Sequence, residues 1–179
     1  VESGGGGVAE PRLWPPPGVA GGLGDAQGGR GVGVCGVLGR LDGDRHVGGY
    51  NFDRKLTRWI LDRLVEQGYD LPHDLSSEAP KDQAIYARLM VLAERAKCEL
   101  SVELSTTILD DTGRMEDHSG NPVHVSLEIS RDEFEDMIRE DVEYTVDICK
   151  RAYDDAQAEK AGDLHEIVMV GGSSRIPMI

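Results

Sequence analysis

Seventeen of the chain's 23 glycines and four of its eight prolines lie ahead of Tyr50. Glycine-rich chain loses much backbone entropy on ordering, and these residues offer few large apolar side chains at a regular period to offset that loss. The stretch VESGGGGVAEPRLWPPPGVAGGLGDAQGGRGVGVCGVLGR is therefore expected to be disordered, on composition alone. It lacks the basic start and apolar middle of a secretion signal. Any core has to be assembled from residues 50–179.

Those residues are strongly periodic. NFDRKLTRWILDRLVEQG places Phe52, Leu56, Trp59, Ile60 and Leu64 at helical spacing, and Gly68 suits the C-terminal cap. A second helix is predicted from about Lys81 to Leu100, with Ile85, Leu89, Leu92, Ala96 and Leu100 facing inward. SVELSTTILDD then alternates, with Val102, Leu104, Thr106 and Ile108 on one face. VHVSLEI alternates again through Val123, Val125, Leu127 and Ile129. TGRMEDHSGNP between them is turn chemistry, so an antiparallel pair joined by a polar loop is expected. Ser130 and Glu133 form a capping box opening a long helix. Its predicted stripe is Phe134, Ile138, Val142, Val146, Cys149 and Tyr153, ending near Gly162. A short strand, Ile167 to Val170, then a double glycine, and a helix start at Pro177 complete the prediction.

A formal net charge of −14 without a basic patch argues against nucleic acid and against an anionic membrane surface. No apolar run approaches the ~20 residues of a membrane span. Cys35, Cys98 and Cys149 are an odd, scattered set and suit a reducing compartment. The five histidines show no metal-ligand spacing, so no metal site is assigned.

Two stretches have the residue types for ligand chemistry. In HEIVMVGGSSRIP, glycines after a strand let a ligand approach the main chain, and a following helix start presents free N–H groups. A plain turn is the alternative. In AERAKCELS, Glu94, Lys97 and Ser101 stand at i, i+3 and i+7 and share one helix face, turned away from Leu89, Leu92 and Ala96. A carboxylate, an ammonium and a hydroxyl in a row suit a ligand's hydroxyls. The alternative is a solvated face with an i,i+3 ion pair.

The order GDRHVGGYNFDRKL, AERAKCELS, strand pair, ISRDEFEDMI and IVMVGGSSRIP resembles that of DnaK-type chaperones, the seventy-kilodalton heat-shock family, over about residues 43–179. The resemblance implies an α/β, actin-like ATPase fold, present in part: the outer and part of the inner subdomain of the second lobe. Residues 1–42 match nothing in that pattern and are expected to be a disordered or non-native leader. Position by position, Glu94 and Lys97 match the pair that holds the ribose, and Ser101 the helix position facing the base. Gly171, Gly172 and Ser173 match the loop under the nucleoside and phosphates. Arg175 matches the arginine whose planar guanidinium stacks on adenine. The implied cofactor is ATP or ADP, with Mg in the complete domain. The implied partners of the complete protein are unfolded client polypeptides, a J-domain co-chaperone and a nucleotide-exchange factor, in the cytoplasm.

Cys98 stands where some relatives carry a second arginine, so stacking on the base is expected from one side. Tyr50 and Asn51 replace an acidic pair common after the double glycine. The aspartate-bearing phosphate loop of the family has no counterpart here. The chain therefore reads as a fragment of the ATPase domain that assigns no catalytic residue and is expected to be inactive alone. A different class of function, a non-catalytic module that binds exchange factors or other proteins, fits the same outer subdomain. An actin-like sugar kinase is disfavoured by the ERAK-x-x-LS helix.

Overall fold

A computed structural model describes residues 33–37, 40–44, 48–72, 75–158 and 167–179. Its elements are β1 (Gly33–Val37), β2 (Arg40–Asp44), α1 (Gly49–Glu66), α2 (Pro80–Leu100), β3 (Ser105–Asp110), β4 (Val125–Ser130), α3 (Arg131–Ala158) and a single 3-10 turn, Gly172–Arg175. The fold is thus mixed helix and sheet, with two antiparallel pairs, β1–β2 and β3–β4.

The α1 period buries Phe52, Leu56, Ile60 and Leu64. The helix stops where Gly68 takes a φ of 95°, a conformation that costs glycine nothing, and the amides of Gln67, Gly68 and Tyr69 return to carbonyls of the last turn. Pro80 opens α2, where its missing N–H would have no helical partner. Helices α1 and α2 pack together, and β3–β4 closes over α2 in a register pairing Ser105 with Ser130 and Asp110 with Val125. Val123, Val125, Leu127 and Ile129 all point into the core, as their alternation predicts. On the edge of that sheet Asp110 also points inward, where Arg88 Nε meets its Oδ2 at 2.6 Å and Thr112 donates to its Oδ1.

The capping box forms as predicted: Glu133 N donates to Ser130 Oγ at 3.2 Å, and Ser130 N to Glu133 Oε2 at 3.1 Å. The α3 stripe, however, differs beyond Ile138. The buried residues are Phe134, Ile138, Ile148, Ala152 and Ala156, whereas Val146 is exposed and Cys149 and Tyr153 are half-buried. At about 100° per residue, repeated steps of four drift by about 40° each, so Val142 still packs half-buried against the core and Val146 walks off the face, while Ile148, Ala152 and Ala156 return to it.

Three further expectations change. Strands fill Gly33–Val37, inside the stretch assigned to a disordered leader ending at 42, and Arg40–Asp44, across its end, and this hairpin lies against α3. Glycine content signals entropy cost, but interleaved Val34, Cys35, Val37 and Leu41 supply strand-forming positions that composition averages away. The remainder of the leader, 1–32, lies outside the described residues, as does Gly162. Val102 and Leu104 are 78% and 75% exposed in the turn between α2 and β3, not on the strand's inner face. The α2 helix continues into that turn, with Val102 and Glu103 amides bonded back to Glu99 O, so pairing starts only at Ser105. Finally, Ile167–Val170 is exposed and forms no strand, because no described strand lies beside it to exchange hydrogen bonds. The chain after it makes the 3-10 turn rather than a helix from Pro177.

Candidate functional site

The first turn of α1, the last two turns of α2 and the Gly172–Ile176 loop meet around a groove of about 610 Å³, within the ~300–1,000 Å³ range of small-molecule sites. Each wall is fixed by burial behind it. Phe52 and Leu56 hold α1, Ala93, Ala96 and Leu100 hold α2, and Ile176, 3% exposed, roots the loop in the core.

The floor is an ion pair. Lys97 Nζ lies 2.7 Å from Asp53 Oδ1 and 2.8 Å from Oδ2, and donates to Gly49 O at 3.3 Å. Both side chains are largely buried, at 13% and 9% exposure. Burial pushes the Asp53 carboxyl above its ordinary range; Lys97 opposes that shift and the nearby Glu94 adds to it. One turn on, Thr57 Oγ1 donates to Asp53 O at 2.7 Å, which leaves no side-chain donor on that turn for the carboxylate. The i,i+3 pair with Glu94 offered as the alternative role for Lys97 gives way to this cross-helix pair, because Asp53 is buried and Glu94 is exposed. Ser101 Oγ donates to Lys97 O at 3.1 Å, which orients its lone pairs.

The loop wall depends on two glycines. Gly171 has a φ of 98°, and its carbonyl accepts from Ser174 Oγ at 2.6 Å and Ser174 N at 3.3 Å, closing the tight turn. Across the groove, a methyl group on Gly49 would come within 3.1 Å of Ser173 Oγ and 3.4 Å of Lys97 Nζ. Glycine at this position lets the start of α1, the loop and the ammonium converge without a shift of the Ser173 hydroxyl.

The structure therefore brings Glu94, Lys97, Ser101, Gly172, Ser173 and Arg175 to one groove, although some 75 residues separate the two stretches. Gly171 does not line it and acts by shaping the turn. Cys98 lines it as an exposed free thiol. Gly49 and Asp53 are among the lining residues that were not predicted. The available signal was Asp53 and Thr57, a polar i,i+4 pair inside the α1 apolar stripe and both buried. As a donor set, the groove offers a neutralised ammonium, an exposed carboxylate, hydroxyls and a planar guanidinium. That chemistry suits a flat, polyhydroxylated ligand. No group of three His, Cys, Asp or Glu side chains that could hold a metal ion occurs among the described residues.

The profile of the Hsp70 protein family matches residues 31–179, which takes in the β1–β2 hairpin and moves the start of the resemblance upstream of residue 43. Among curated relatives, the chain is similar to a chaperone protein dnaK from Trieres chinensis, 38% identical over 144 residues. The match covers 76% of this chain and 21% of that protein, so the chain spans about a fifth of the relative's length. With the family profile covering the hairpin, both walls of the groove and everything between them, this chain belongs to the Hsp70 family.

Proposed function

We propose that this chain supplies the base-and-ribose half of an adenine-nucleotide site in an ATP-binding molecular chaperone of the seventy-kilodalton heat-shock type. In this reading it is the outer part of the second lobe of an actin-like ATPase domain. The observation that carries the reading is the convergence of Glu94, Lys97 and Ser101 with Gly172, Ser173 and Arg175 on one groove of nucleoside size.

Glu94 and Lys97 hold the ribose hydroxyls, the carboxylate accepting and the ammonium donating. Arg175 lays its guanidinium on the adenine face, a contact worth about 1 kcal/mol. The amides of Gly172 and Ser173 stand beneath the sugar, where the missing side chain of Gly172 admits it. Bound ATP would bring the phosphoanhydride bond whose hydrolysis drives the family's cycle. The residues here bind and orient the nucleoside end; they do not reach the bond that breaks. Mg, client polypeptides, a J-domain co-chaperone and an exchange factor belong to the same proposal for the complete protein. No helix among the described residues is long and apolar enough to cross a membrane.

With one side of the groove open to water, affinity for ADP is expected on the order of millimolar, about 4 kcal/mol. Calorimetric or NMR titration of this chain tests the assignment. Arg175→Ala and Lys97→Ala should each weaken ADP binding by about tenfold, while Glu99→Ala leaves it unchanged. Equal affinity in all three variants would refute the clamp.

A further inference from the structure

We propose that Asp53 determines what the Lys97 subsite accepts: it cancels the ammonium's charge, so that sugar hydroxyls are bound there and a phosphate is not. This rests on the reading of the groove as a nucleoside site, and the two arms of the experiment separate them.

An isolated lysine at the floor of a groove is a phosphate binder, because its compact charge outweighs any geometric preference. Lys97 is not isolated. Both oxygens of Asp53 approach its Nζ, at 2.7 and 2.8 Å, and Gly49 O takes a further contact at 3.3 Å. Within α1 and α2 the charged groups facing the ammonium are Asp53 and Glu94, and across the loop stands Arg175. The α1–α2 side of the groove thus carries two negative charges and one positive. A phosphate placed there would meet two carboxylates, that of Asp53 buried against the ammonium and that of Glu94 at the rim, and like charges close together are disfavoured. A hydroxyl has no such penalty: it can accept from the ammonium and donate to Glu94.

Asp53 is a positioning and selectivity residue, not one that reacts. It is also not needed to complete the core, since its carboxylate gains no hydrogen bond beyond Lys97 and its burial opposes its charge. Gly49 permits the arrangement. A methyl group there would crowd Ser173 Oγ at 3.1 Å and just touch Lys97 Nζ at 3.4 Å, so the bare backbone leaves the ammonium its place against Asp53.

The test is thermal unfolding of the full 179-residue chain, wild type and Asp53→Asn, in phosphate and in chloride at equal ionic strength. A ligand that binds only the folded form raises the melting temperature by mass action. Asp53→Asn should gain about 3 °C from tens of millimolar phosphate, wild type should gain far less, and Asp53→Asn with Lys97→Met should lose the gain. A folded Asp53→Asn that responds to phosphate as wild type does would overturn the proposal. Should Asp53→Asn fail to fold, Asp53→Ser carries the same expectation. In a second arm, adenosine and adenosine 2′-monophosphate are compared as ligands. Wild type should prefer adenosine, and Asp53→Asn should narrow that ratio by about tenfold. If adenosine binds neither protein but the phosphate gain appears, the nucleoside reading fails and the charge cancellation stands. If adenosine binds both and the ratio is unmoved, the proposal fails and the nucleoside reading stands.

Discussion

Two buried carboxylates, each paired with a cation on α2, behave in opposite ways. Asp110, at the edge of the β3–β4 sheet, meets Arg88 at 2.6 Å and also accepts from Thr112 N and Oγ1. Arg88 and these donors hold its carboxyl down, from the ordinary 3.8 to about 2. Asp53, at the groove floor, meets Lys97 just as closely, yet its carboxyl is raised, chiefly by burial. Distance to the cation does not separate them. Burial separates them first, being the largest influence on Asp53 but not on Asp110, and the number of donors adds to it: Asp110 has two further hydrogen bonds from Thr112, whereas Asp53 has none and faces Glu94 as well. A buried charge that is fully hydrogen-bonded stabilises a fold, and one that is only paired is close to break-even or costly. The outer pair serves the structure. The inner pair keeps an ammonium in place at a site where the fold gains little from it, which is how functional sites commonly sit against stability.

The largest expected effect sharpens this contrast at the outer pair. Asp110→Ala should lower unfolding free energy by about 2 kcal/mol, because it removes a buried carboxylate together with its ion pair to Arg88 and its two hydrogen bonds from Thr112. Urea denaturation reads it. Asp53→Asn should cost less than Asp110→Ala, because the amide avoids the burial cost that the carboxylate carries, its oxygen still accepts from Lys97, and the ammonium can turn to the open groove. Equal losses from the two substitutions would erase the distinction.

The pH dependence of the two carboxylates has opposite signs. Asp110 ionises more easily folded than unfolded, so its contribution is complete above pH 3.8 and is lost as pH falls toward 2. Asp53 holds its proton more tightly when folded, so its ionisation costs the fold something as pH rises through its raised value. Denaturant titrations between about pH 5 and pH 2 should show a stability decline that flattens in Asp110→Asn and persists in Asp53→Asn. A decline unchanged in Asp110→Asn would assign acid sensitivity elsewhere, for instance to Asp82, whose carboxyl is lowered by Ser77 and His118.

The smallest effect belongs to Glu99. Its carboxylate accepts from Thr106 Oγ1 and Arg95 Nε on the sheet side of α2. Glu99→Ala should cost a few tenths of a kcal/mol, since its partners can turn to water, and should leave groove binding alone.

The contrast also bears on what the sequence could reveal. Elements whose signals are local were legible: the α1 and α2 periods, the alternation through Val123 to Ile129 and the Ser130–Glu133 box all depend on neighbours within a few residues. The Glu94, Lys97 and Ser101 face was legible for the same reason. The Lys97–Asp53 pair was not, because it joins residues 44 apart whose meeting depends on how α1 packs against α2. The β1–β2 hairpin was hidden by its glycines. The swing of the α3 face to Ile148 and Ala152 was missed because an i+4 stripe drifts over 28 residues, an error that a short helix conceals. Ile167–Val170 shows the converse limit: an apolar β-like run states a propensity, but a strand exists only beside a partner.

We propose that α2 divides its labour, the C-terminal half binding a nucleoside and the Arg88–Asp110 pair holding the sheet. Amide chemical shifts of the labelled chain, followed through an adenosine titration, test it most directly. The account predicts concerted, saturable shifts at Gly49–Asp53, Glu94–Ser101 and Gly172–Arg175, with Arg88 and Asp110–Thr112 unmoved. Shifts absent from the groove at saturating adenosine, or centred on the Arg88–Asp110 pair, would contradict it.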